Sequence, residues 1–231
     1  MPPRPQPRPV RTIATVDSRQ GGATVAGLEQ QCTTGGVSTA AGLQAHGISA
    51  LWYLVHRLHV PSILTHGILS HCQAHERGLV QADISCASVQ ARRAWRRLPC
   101  GSALHGFAPL YLVPRNPMSF ALRHRLPELC LVQVAVAVAD QPGGYLSDGN
   151  AASPRTRFFQ GATALAQLPW AVLRARFWCD MIDGRRSRCA EVLVPGRVDA
   201  AHIERVLCFD SDTQAALARE NRPVIQAHAL F

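Results

Sequence analysis

The spacing of apolar residues along the chain predicts four strands. Residues 50–55 and 109–113 are short apolar runs that mix aliphatic and aromatic side chains, which is typical of buried strands. Residues 129–138 carry four valines spaced two residues apart, so these valines share one face of a longer strand. Residues 190–194 form a fourth apolar run, and near its start stands a single carboxylate, Glu191.

Short helices are predicted between these strands. Residues 60–64 begin a helix at a Val-Pro-Ser sequence, and Gly67 is expected to end it. Residues 88–97 are predicted to form a second helix. Residues 169–179 are predicted to form a third, which begins at a Pro-Trp pair and turns Phe177 inward.

The remaining elements decide the fold class. Asp199 and Ser211 are predicted N-caps of two further helices, and residues 141–153 are dense in turn-forming residues. Strands and short helices are interspersed without the regular rhythm of βαβ units. The pattern therefore predicts an α+β fold with a mainly antiparallel sheet and short peripheral helices.

The first part of the chain differs in composition from the rest. Residues 1–48 open with a Pro/Arg-rich stretch, and a Gly/Thr/Ala/Gln-rich stretch with little apolar periodicity follows. We expect this segment to be a flexible leader. The chain has 231 residues, so residues 49–231 are expected to form one domain.

The charge balance narrows the classes of partner. All 24 basic residues are arginines, and the absence of lysine excludes Schiff-base chemistry, pyridoxal phosphate anchoring and a phosphate-loop lysine. The formal net charge of +9 favours a polyanionic partner, such as a nucleic acid or a dinucleotide. No stretch is long and apolar enough to span a membrane, and the start of the chain lacks an apolar signal core. We therefore expect a cytoplasmic protein with no membrane partner.

The cysteines and histidines do not predict a metal site. Eight cysteines show no CxxC pair and no regular spacing, so we interpret them as reduced thiols. His71, Cys72 and His75 have the types and spacing of metal ligands, but no second pair stands at zinc spacing. We expect no metal cofactor.

Glu191 is the candidate for chemistry, because a carboxylate entering an apolar strand must be paired or used. One interpretation pairs it with an arginine from the cluster at 185, 186 and 188, in a purely structural role. The other interpretation has it bind a ribose hydroxyl and stabilise positive charge at an anomeric carbon. Arg92 and Arg93 can hold a pyrophosphate through their guanidinium groups, or can simply form a solvated basic face.

Several segments, in this order, resemble the DarT-type DNA ADP-ribosyltransferase toxins. They are residues 51–56 (LWYLVH), 61–64 (PSIL), 67–69 (GIL), 89–93 (VQARR), 109–118 (PLYLVPRNPM), 147–152 (SDGNAA), 156–159 (TRFF), 177–180 (FWCD) and 185–194 (RRSRCAEVLV). Each motif is weak alone, but the ordered set is specific and extends from about residue 50 to 208.

The resemblance implies an ADP-ribosyltransferase fold with a split β-sheet core. It also implies that NAD is the substrate and that ADP-ribose is transferred to a base in single-stranded DNA, most often thymine. A macrodomain antitoxin that removes the modification is the expected partner. Residues near 76–94 match the family's NAD-binding element, and residues near 147–191 match the loop that presents DNA.

The resemblance also implies roles for individual residues. Glu191 takes the position of the catalytic glutamate, and Arg92 takes that of the arginine that contacts NAD and has been assigned a proton-accepting role. The expected NAD-contacting residues are Tyr53, Leu54, Val55, Ser62 and Arg92. The expected DNA-binding residues are Asn150, Arg155, Arg157 and Arg186.

One departure and two alternatives stay open at this point. Tyr53 stands where many family members have histidine, so the geometry at the nicotinamide ribose is in question. The acceptor of ADP-ribose can instead be guanine, RNA or protein. A basic nucleic-acid-binding module without catalysis is the alternative from a different class.

Overall fold

Ten strands and eight α-helices form within residues 38–227, the part of the chain that this computed structural model describes. The strands are β1 (Ala50–His56), β2 (Ile68–Leu69), β3 (Phe107–Tyr111), β4 (Leu129–Ala135), β5 (Tyr145–Ser147), β6 (Phe158–Phe159), β7 (Glu191–Pro195), β8 (Arg197–Val198), β9 (Ile203–Cys208) and β10 (Val224–Gln226). The helices are α1 (Thr39–Ala45), α2 (Val60–His66), α3 (His71–Glu76), α4 (Ala87–Trp95), α5 (Pro117–Ala121), α6 (Trp170–Arg174), α7 (Gly184–Ser187) and α8 (Ser211–Ala216).

A split in the main sheet determines where a ligand can enter. Eight strands form this sheet in the order β10-β9-β4-β1-β3-β7-β5-β6, and β2 pairs with β8 separately. The pairing is antiparallel except between β10 and β9. β1 pairs with β4 along its whole length but with β3 at one position, Trp52 opposite Tyr111. The two halves of the sheet therefore separate beside this pair, and the predicted α+β fold with a mainly antiparallel, split sheet is confirmed.

The main core lies against β1, β4, β7 and β9. The four valines predicted on one face of residues 129–138 are all buried in it. β4 nevertheless ends at Ala135, earlier than predicted, because the chain turns into the 3₁₀-helix Val136–Asp140. This 3₁₀-helix meets α1, where the Ala40 N–H donates a hydrogen bond to Asp140 Oδ1 at 3.2 Å.

Helix α1 corrects the predicted boundary of the folded domain. Ser38 caps it, since its hydroxyl accepts a hydrogen bond from the Ala41 N–H at 2.9 Å. Ala40, Leu43 and Ile48 are buried in the main core. Residues 38–48 therefore pack with the domain rather than with the predicted leader, because a helix of seven residues is too short to show clear apolar periodicity. The rest of the predicted leader, residues 1–37, lies outside the described residues.

Helix α6 is shorter than predicted, and a buried arginine ends it. Nη1 of Arg188 donates hydrogen bonds to the carbonyl oxygens of Val172, Leu173 and Ala175 at 2.7–3.0 Å. These carbonyls are therefore satisfied without another helical turn. Phe177 lies beyond the end of the helix and is 68% exposed, so the prediction that it faces inward was wrong.

The other predicted elements hold with small shifts. Gly67 ends α2 with φ 82°, and a Cβ there would lie 2.0 Å from the Val198 carbonyl oxygen, so only glycine fits. Asp199 caps a short 3₁₀-helix as predicted, whereas Asp210 rather than Ser211 caps α8. Among residues 38–227, no helix has the length and apolar character needed to cross a membrane.

Candidate active site

A cavity of about 470 Å³ lies beside the point where β1 and β3 separate. Its volume is typical of small-molecule binding sites. β1 contributes Tyr53, β3 contributes Tyr111, and β7 contributes Glu191 at its first residue. Helices α2, α3, α4 and α5 and residues 79–86 contribute further parts of the wall, most of which is apolar.

Glu191 is a buried carboxylate that faces this cavity. It is 2% exposed and lies opposite Tyr111 in the pairing of β3 with β7. Its Oε1 accepts a hydrogen bond from the Ala151 N–H at 3.0 Å. A carboxylate held by a backbone amide keeps one orientation, which is what a group that must meet a ligand requires.

The turn after β5 wraps around Glu191. Ser147 Oγ accepts a hydrogen bond from the Glu191 N–H at 2.9 Å and donates one to the Gly149 carbonyl oxygen at 2.8 Å. A Cβ at Gly149 would lie 2.5 Å from Arg186 Nη1 and 2.8 Å from the Arg186 carbonyl oxygen. Glycine therefore lets the turn lie close to α7, which keeps the Ala151 N–H directed at the carboxylate.

Arg93 of α4 is the cationic partner of Glu191. Its Nη1 lies 3.1 Å from Oε2 and 3.3 Å from Oε1, and its side chain is 11% exposed. Cys86, Val89 and Gln90 line the cavity together with Arg93, which is the spacing of one helix face. The carboxylate predicted to pair with the cluster at 185–188 is thus paired with a residue almost one hundred positions away in the chain.

Two tyrosines with raised pKa values flank the carboxylate. Burial raises the pKa of the Tyr53 phenol. Burial also raises the pKa of Tyr111 well above its ordinary value, and the neighbouring Cys189 and Glu191 add to this effect. The Tyr111 hydroxyl donates a hydrogen bond to Met118 Sδ at 3.3 Å. Both phenols are therefore neutral hydrogen-bonding groups at physiological pH.

Three histidine rings form a stack in the cavity wall. The ring centroid of His71 lies 3.9 Å from that of His105 and 4.1 Å from that of His75. All three side chains line the cavity. The spacing of 71 and 75 on one helix places these two together, but no sequence signal joins them to His105, which lies in the 3₁₀-helix Leu104–Gly106. We define these three residues as the histidine stack.

A family model described as "ssDNA thymidine ADP-ribosyltransferase, DarT" matches residues 52–222. The chain belongs to the DarT family. This membership agrees with the resemblance carried by the sequence motifs, and the matched span includes the whole cavity wall and Glu191.

Curated relatives of this DarT-family chain come from several bacteria. A DNA ADP-ribosyl transferase of Thermus sp. (strain 2.9) is 31% identical over 172 residues, which cover 69% of this chain and 80% of the relative. A DNA ADP-ribosyl transferase-DNA ADP-ribosyl glycohydrolase fusion protein of Thermosipho africanus is 30% identical over 189 residues, which cover 78% of this chain. The chain spans about half the length of that fusion protein, at 49%.

Solved DarT structures share the fold. The structure of Thermosipho africanus DarTG in complex with ADP-ribose superposes with a TM-score of 0.68 at 28% identity, covering 77% of this chain and 50% of that one. The structure of Thermus sp. 2.9 DarT in complex with ADP-ribosylated ssDNA superposes with a TM-score of 0.69 at 22% identity, covering 78% and 95%. The split sheet is thus the sheet of a DarT fold.

Most residues expected to contact NAD in a DarT protein are brought together. Tyr53, Leu54, Val55 and Ser62 all line the cavity, as does Glu191. Arg92 does not line it: its side chain is exposed on α4, whereas Arg93 enters the cavity. The two positions differ by about 100° around the helix, and the face with Cys86 and Val89 packs inward. The structure therefore places Arg93 rather than Arg92 in the cavity beside Glu191, and the expected role of an arginine in binding NAD stays a prediction.

Of the residues expected to bind DNA, two are exposed arginines and a third, Asn150, lies at the cavity. Arg155 and Arg157 are 72% and 65% exposed, and each contacts one carboxylate, Asp183 at 2.8 Å and Asp148 at 3.1 Å respectively. Asn150 lines the cavity, and its Oδ1 accepts a hydrogen bond from the Ala152 N–H.

Arg186 has a different environment from the other arginines of this loop. Its guanidinium is mostly buried and contacts Asp148 at 2.6 Å, Asp183, and Thr156 Oγ1 at 3.0 Å. These contacts join α7 to residues 148 and 156, and the expected contact of Arg186 with DNA stays a prediction. Trp178, whose ring could otherwise stack on a base of DNA, is buried beneath Arg188, with 4.8 Å between the guanidinium carbon and the ring centroid.

The metal-like spacing of His71, Cys72 and His75 has a different explanation. Within residues 38–227, no group of three or more His, Cys, Asp or Glu side chains is placed to hold a metal ion. His71 and His75 instead pack their rings against each other and belong to the histidine stack.

Proposed function

We propose that this protein transfers ADP-ribose from NAD to thymine in single-stranded DNA. The observation that carries the proposal is the buried Glu191 carboxylate, directed into a nucleotide-sized cavity at the split of the sheet. Further support comes from the structures of Thermus sp. 2.9 DarT in complex with NAD+ and in complex with ADP-ribosylated ssDNA.

Glu191 acts on the ribose that carries the nicotinamide. When nicotinamide leaves, positive charge develops at the ribose anomeric carbon, as in glycoside cleavage. A carboxylate that is 2% exposed acts there through a poorly screened field, and the Ala151 N–H holds it in place without reorganisation. Its oxygens also accept hydrogen bonds from the ribose hydroxyls.

Arg93 must change partners during this reaction. Its Nη1 contacts both oxygens of Glu191, the atoms that the ribose hydroxyls need. We infer that substrate binding moves this guanidinium from the carboxylate to the substrate, where it stabilises negative charge that develops on the base. Guanidinium does not deprotonate in proteins, so Arg93 acts as a clamp rather than as the base that removes the thymine N3 proton.

The loop from 147 to 157 presents the DNA. Thymine N3 is paired in a duplex, so the base must be single-stranded for this nitrogen to attack. Arg155 and Arg157 are the exposed cations of the loop, and each keeps donors free beyond its one carboxylate contact. They bind phosphates on either side of the target base while Asn150 lies at the cavity.

The biological setting follows from the relatives. The Thermosipho africanus protein joins a DNA ADP-ribosyl transferase to a DNA ADP-ribosyl glycohydrolase in one chain. By analogy, this protein is the toxin of a toxin–antitoxin pair, and a macrodomain glycohydrolase is the antitoxin that removes the modification. A DNA-modifying toxin acts where the DNA is, so we place it in the cytoplasm.

The proposal is tested by incubating the protein with labelled NAD and single-stranded oligonucleotides that each lack one base. We expect label on every oligonucleotide except the one without thymine. Loss of label only without guanine, or label only on RNA or protein, rejects thymine as the acceptor. Salt-sensitive DNA binding with no consumption of NAD identifies a binding module instead.

Glu191→Gln separates catalysis from folding in the same assay. We expect it to abolish transfer while the protein stays folded, with an unfolding temperature lowered by about 6–12 °C, because the amide keeps the shape of the carboxylate but leaves the buried Arg93 without its counter-charge. Glu204→Gln is the matched control, since Glu204 is an exposed strand carboxylate that bonds only to Gln133 at 2.6 Å. Full transfer activity in Glu191→Gln contradicts the assignment of Glu191.

A further inference from the structure

The cavity wall lacks the positive charge that a dinucleotide requires. Among the lining residues, Arg93 is the one arginine, and Asp83 and Glu191 are carboxylates. With neutral histidines, the described wall therefore carries one positive and two negative charges. NAD brings a diphosphate with two negative charges, and burying such a group without a cationic partner is costly.

Arg93 alone cannot correct this imbalance. Its Nη1 contacts Glu191 at 3.1 Å, and in the proposed reaction this guanidinium moves to the base that accepts ADP-ribose, so it is not the partner of the diphosphate. Arg92 is exposed on a different face of α4 and does not line the cavity. The remaining groups of the wall that can become positive are its histidines.

His59 is excluded from this role because its ring holds a loop. Its Nε2 accepts hydrogen bonds from the Gln81 N–H at 2.8 Å and the Ala82 N–H at 3.1 Å. A nitrogen that accepts two backbone hydrogen bonds cannot carry a proton without breaking both. Among the described residues of the wall, the histidine stack is left.

Two rings of the stack, His71 and His105, have lowered pKa values in the free protein. Burial and the charge of His75 lower the pKa of His71, and the nearby Arg93 contributes in the same direction. Burial, His71 and Arg93 lower the pKa of His105 to about 4. His105 Nε2 also lies 3.1 Å from Gln90 Oε1, so that nitrogen carries the hydrogen and Nδ1 is the free acceptor.

We propose that the histidine stack binds the diphosphate of NAD and takes up a proton from solvent as it does so. This inference rests on the proposed function, in which NAD is the substrate. The rings of His75 and His105 each lie against the ring of His71, so an imidazolium at His71 contacts two neighbouring rings. The ring nitrogens then donate hydrogen bonds to phosphate oxygens.

The sign of the coupling follows from the charges around the stack. Asp83 favours the imidazolium of His71, whereas His75 and Arg93 disfavour protonation of both His71 and His105. A bound diphosphate adds negative charge, so it raises the pKa values of the stack in the complex. NAD then binds most tightly at acidic pH, and its affinity falls as the pH rises through the pKa of the complex. Because this coupling is reciprocal, the protein takes up protons when it binds NAD at neutral pH.

The test measures binding rather than transfer. Titration calorimetry with ADP-ribose, at about pH 7 in buffers of different ionisation enthalpy, gives the number of protons taken up. ADP-ribose is used because it carries the same diphosphate but is not consumed. We expect uptake of roughly 0.5–1 proton, and an affinity for ADP-ribose that weakens about tenfold between about pH 6 and 8. Adenosine, which has no phosphate, should bind without uptake.

The outcomes separate this inference from the proposed function. Binding of NAD and ADP-ribose without proton uptake, or equal uptake with adenosine, overturns the role of the stack and leaves the proposed function standing. A protein that binds neither NAD nor ADP-ribose refutes both.

Variants locate the proton. His71→Asn and His75→Asn should remove most of the uptake and weaken ADP-ribose binding about tenfold, whereas His66→Asn should change neither. His66 is the control because it is exposed on the neighbouring helix α2 and does not line the cavity. Unchanged uptake in both stack variants overturns the proposal. If a variant fails to fold, the titration of wild-type histidine ring protons by NMR, with and without ADP-ribose, gives the same answer.

Discussion

Arg93→Ala tests the ion pair at the centre of the site. Within the described residues, Arg93 is the one cation in contact with Glu191, which would otherwise keep only the hydrogen bond from the Ala151 N–H. The neighbouring Arg92 has the same chemistry but is exposed on another face of α4. Arg92→Ala is therefore a matched control one residue away.

The magnitude follows from the burial of the pair. The side chains of Arg93 and Glu191 are 11% and 2% exposed, so solvent screens them little. Removing one partner of a buried pair costs about 3–5 kcal/mol. We expect about 3 kcal/mol, because the shortened side chain opens the carboxylate to solvent in the cavity. For a domain of this size that lowers the unfolding temperature by about 6–12 °C. Arg92→Ala should stay within about 0.5 kcal/mol.

Transfer activity, like stability, should be lowered by substitution of Arg93 and not of Arg92. Arg93→Ala should lower transfer to thymine-containing single-stranded DNA by about 100-fold or more, because it removes the positive charge that stabilises the negative charge developing on the base. Arg93→Lys should recover part of the stability, since a single nitrogen, Nη1, makes both contacts with Glu191. A double-mutant cycle with Glu191→Ala measures the coupling directly.

Urea unfolding and transfer of labelled NAD are the assays. Two results would refute the reasoning. If Arg92→Ala abolishes transfer while Arg93→Ala retains it, the catalytic arginine is Arg92. If Arg93→Ala unfolds at the wild-type urea concentration, the pair does not stabilise the fold.

Three further predictions concern the loop and the cavity mouth. Arg155→Ala and Arg157→Ala should each reduce, by about 0.7, the slope of the logarithm of the DNA-binding constant against the logarithm of the salt concentration. Fluorescence anisotropy with single-stranded DNA measures this slope. An unchanged slope would mean that the arginine does not contact a phosphate. Burial raises the pKa of the Asp148 carboxyl, but hydrogen bonds from Arg157 and Arg186 outweigh it and the pKa is lowered overall. The contribution of Asp148 to the free energy of unfolding is therefore complete above the ordinary pKa of 3.8 and is lost as pH falls through the lower pKa of the folded state. Asp148→Asn should make the free energy of unfolding, measured with urea, less dependent on acid pH. The same pH dependence in wild type and variant would contradict this role of Asp148. Cys86 lines the cavity with an exposed thiol, and hydrogen bonding from Ser88 lowers the pKa of this thiol. Bound NAD should cover the thiol and slow its alkylation, which mass spectrometry follows. Equal alkylation rates with and without NAD would contradict the placement of Cys86 at the NAD site.

Much of the fold could be predicted from local pattern. β1, β3 and β7 are apolar runs that need burial wherever they lie, and Gly67 ends α2 because only glycine adopts its positive φ. The position of Glu191 at the front of an apolar strand is likewise a local signal, since such a carboxylate must be paired or used. The sequence by itself thus determined the elements and the principal acidic group.

Which side chains meet at that group was decided only by the tertiary structure. Arg92 and Arg93 are equivalent in sequence, and the packing of α4 against the cavity selects Arg93. His105 joins a stack with α3 because the segment before β3 returns to that helix. Phe177 is exposed because Arg188, distant from α6 in sequence, takes its terminal carbonyl groups. Local propensity sets where elements form, but their rotation and their long-range partners depend on the packing of the whole domain.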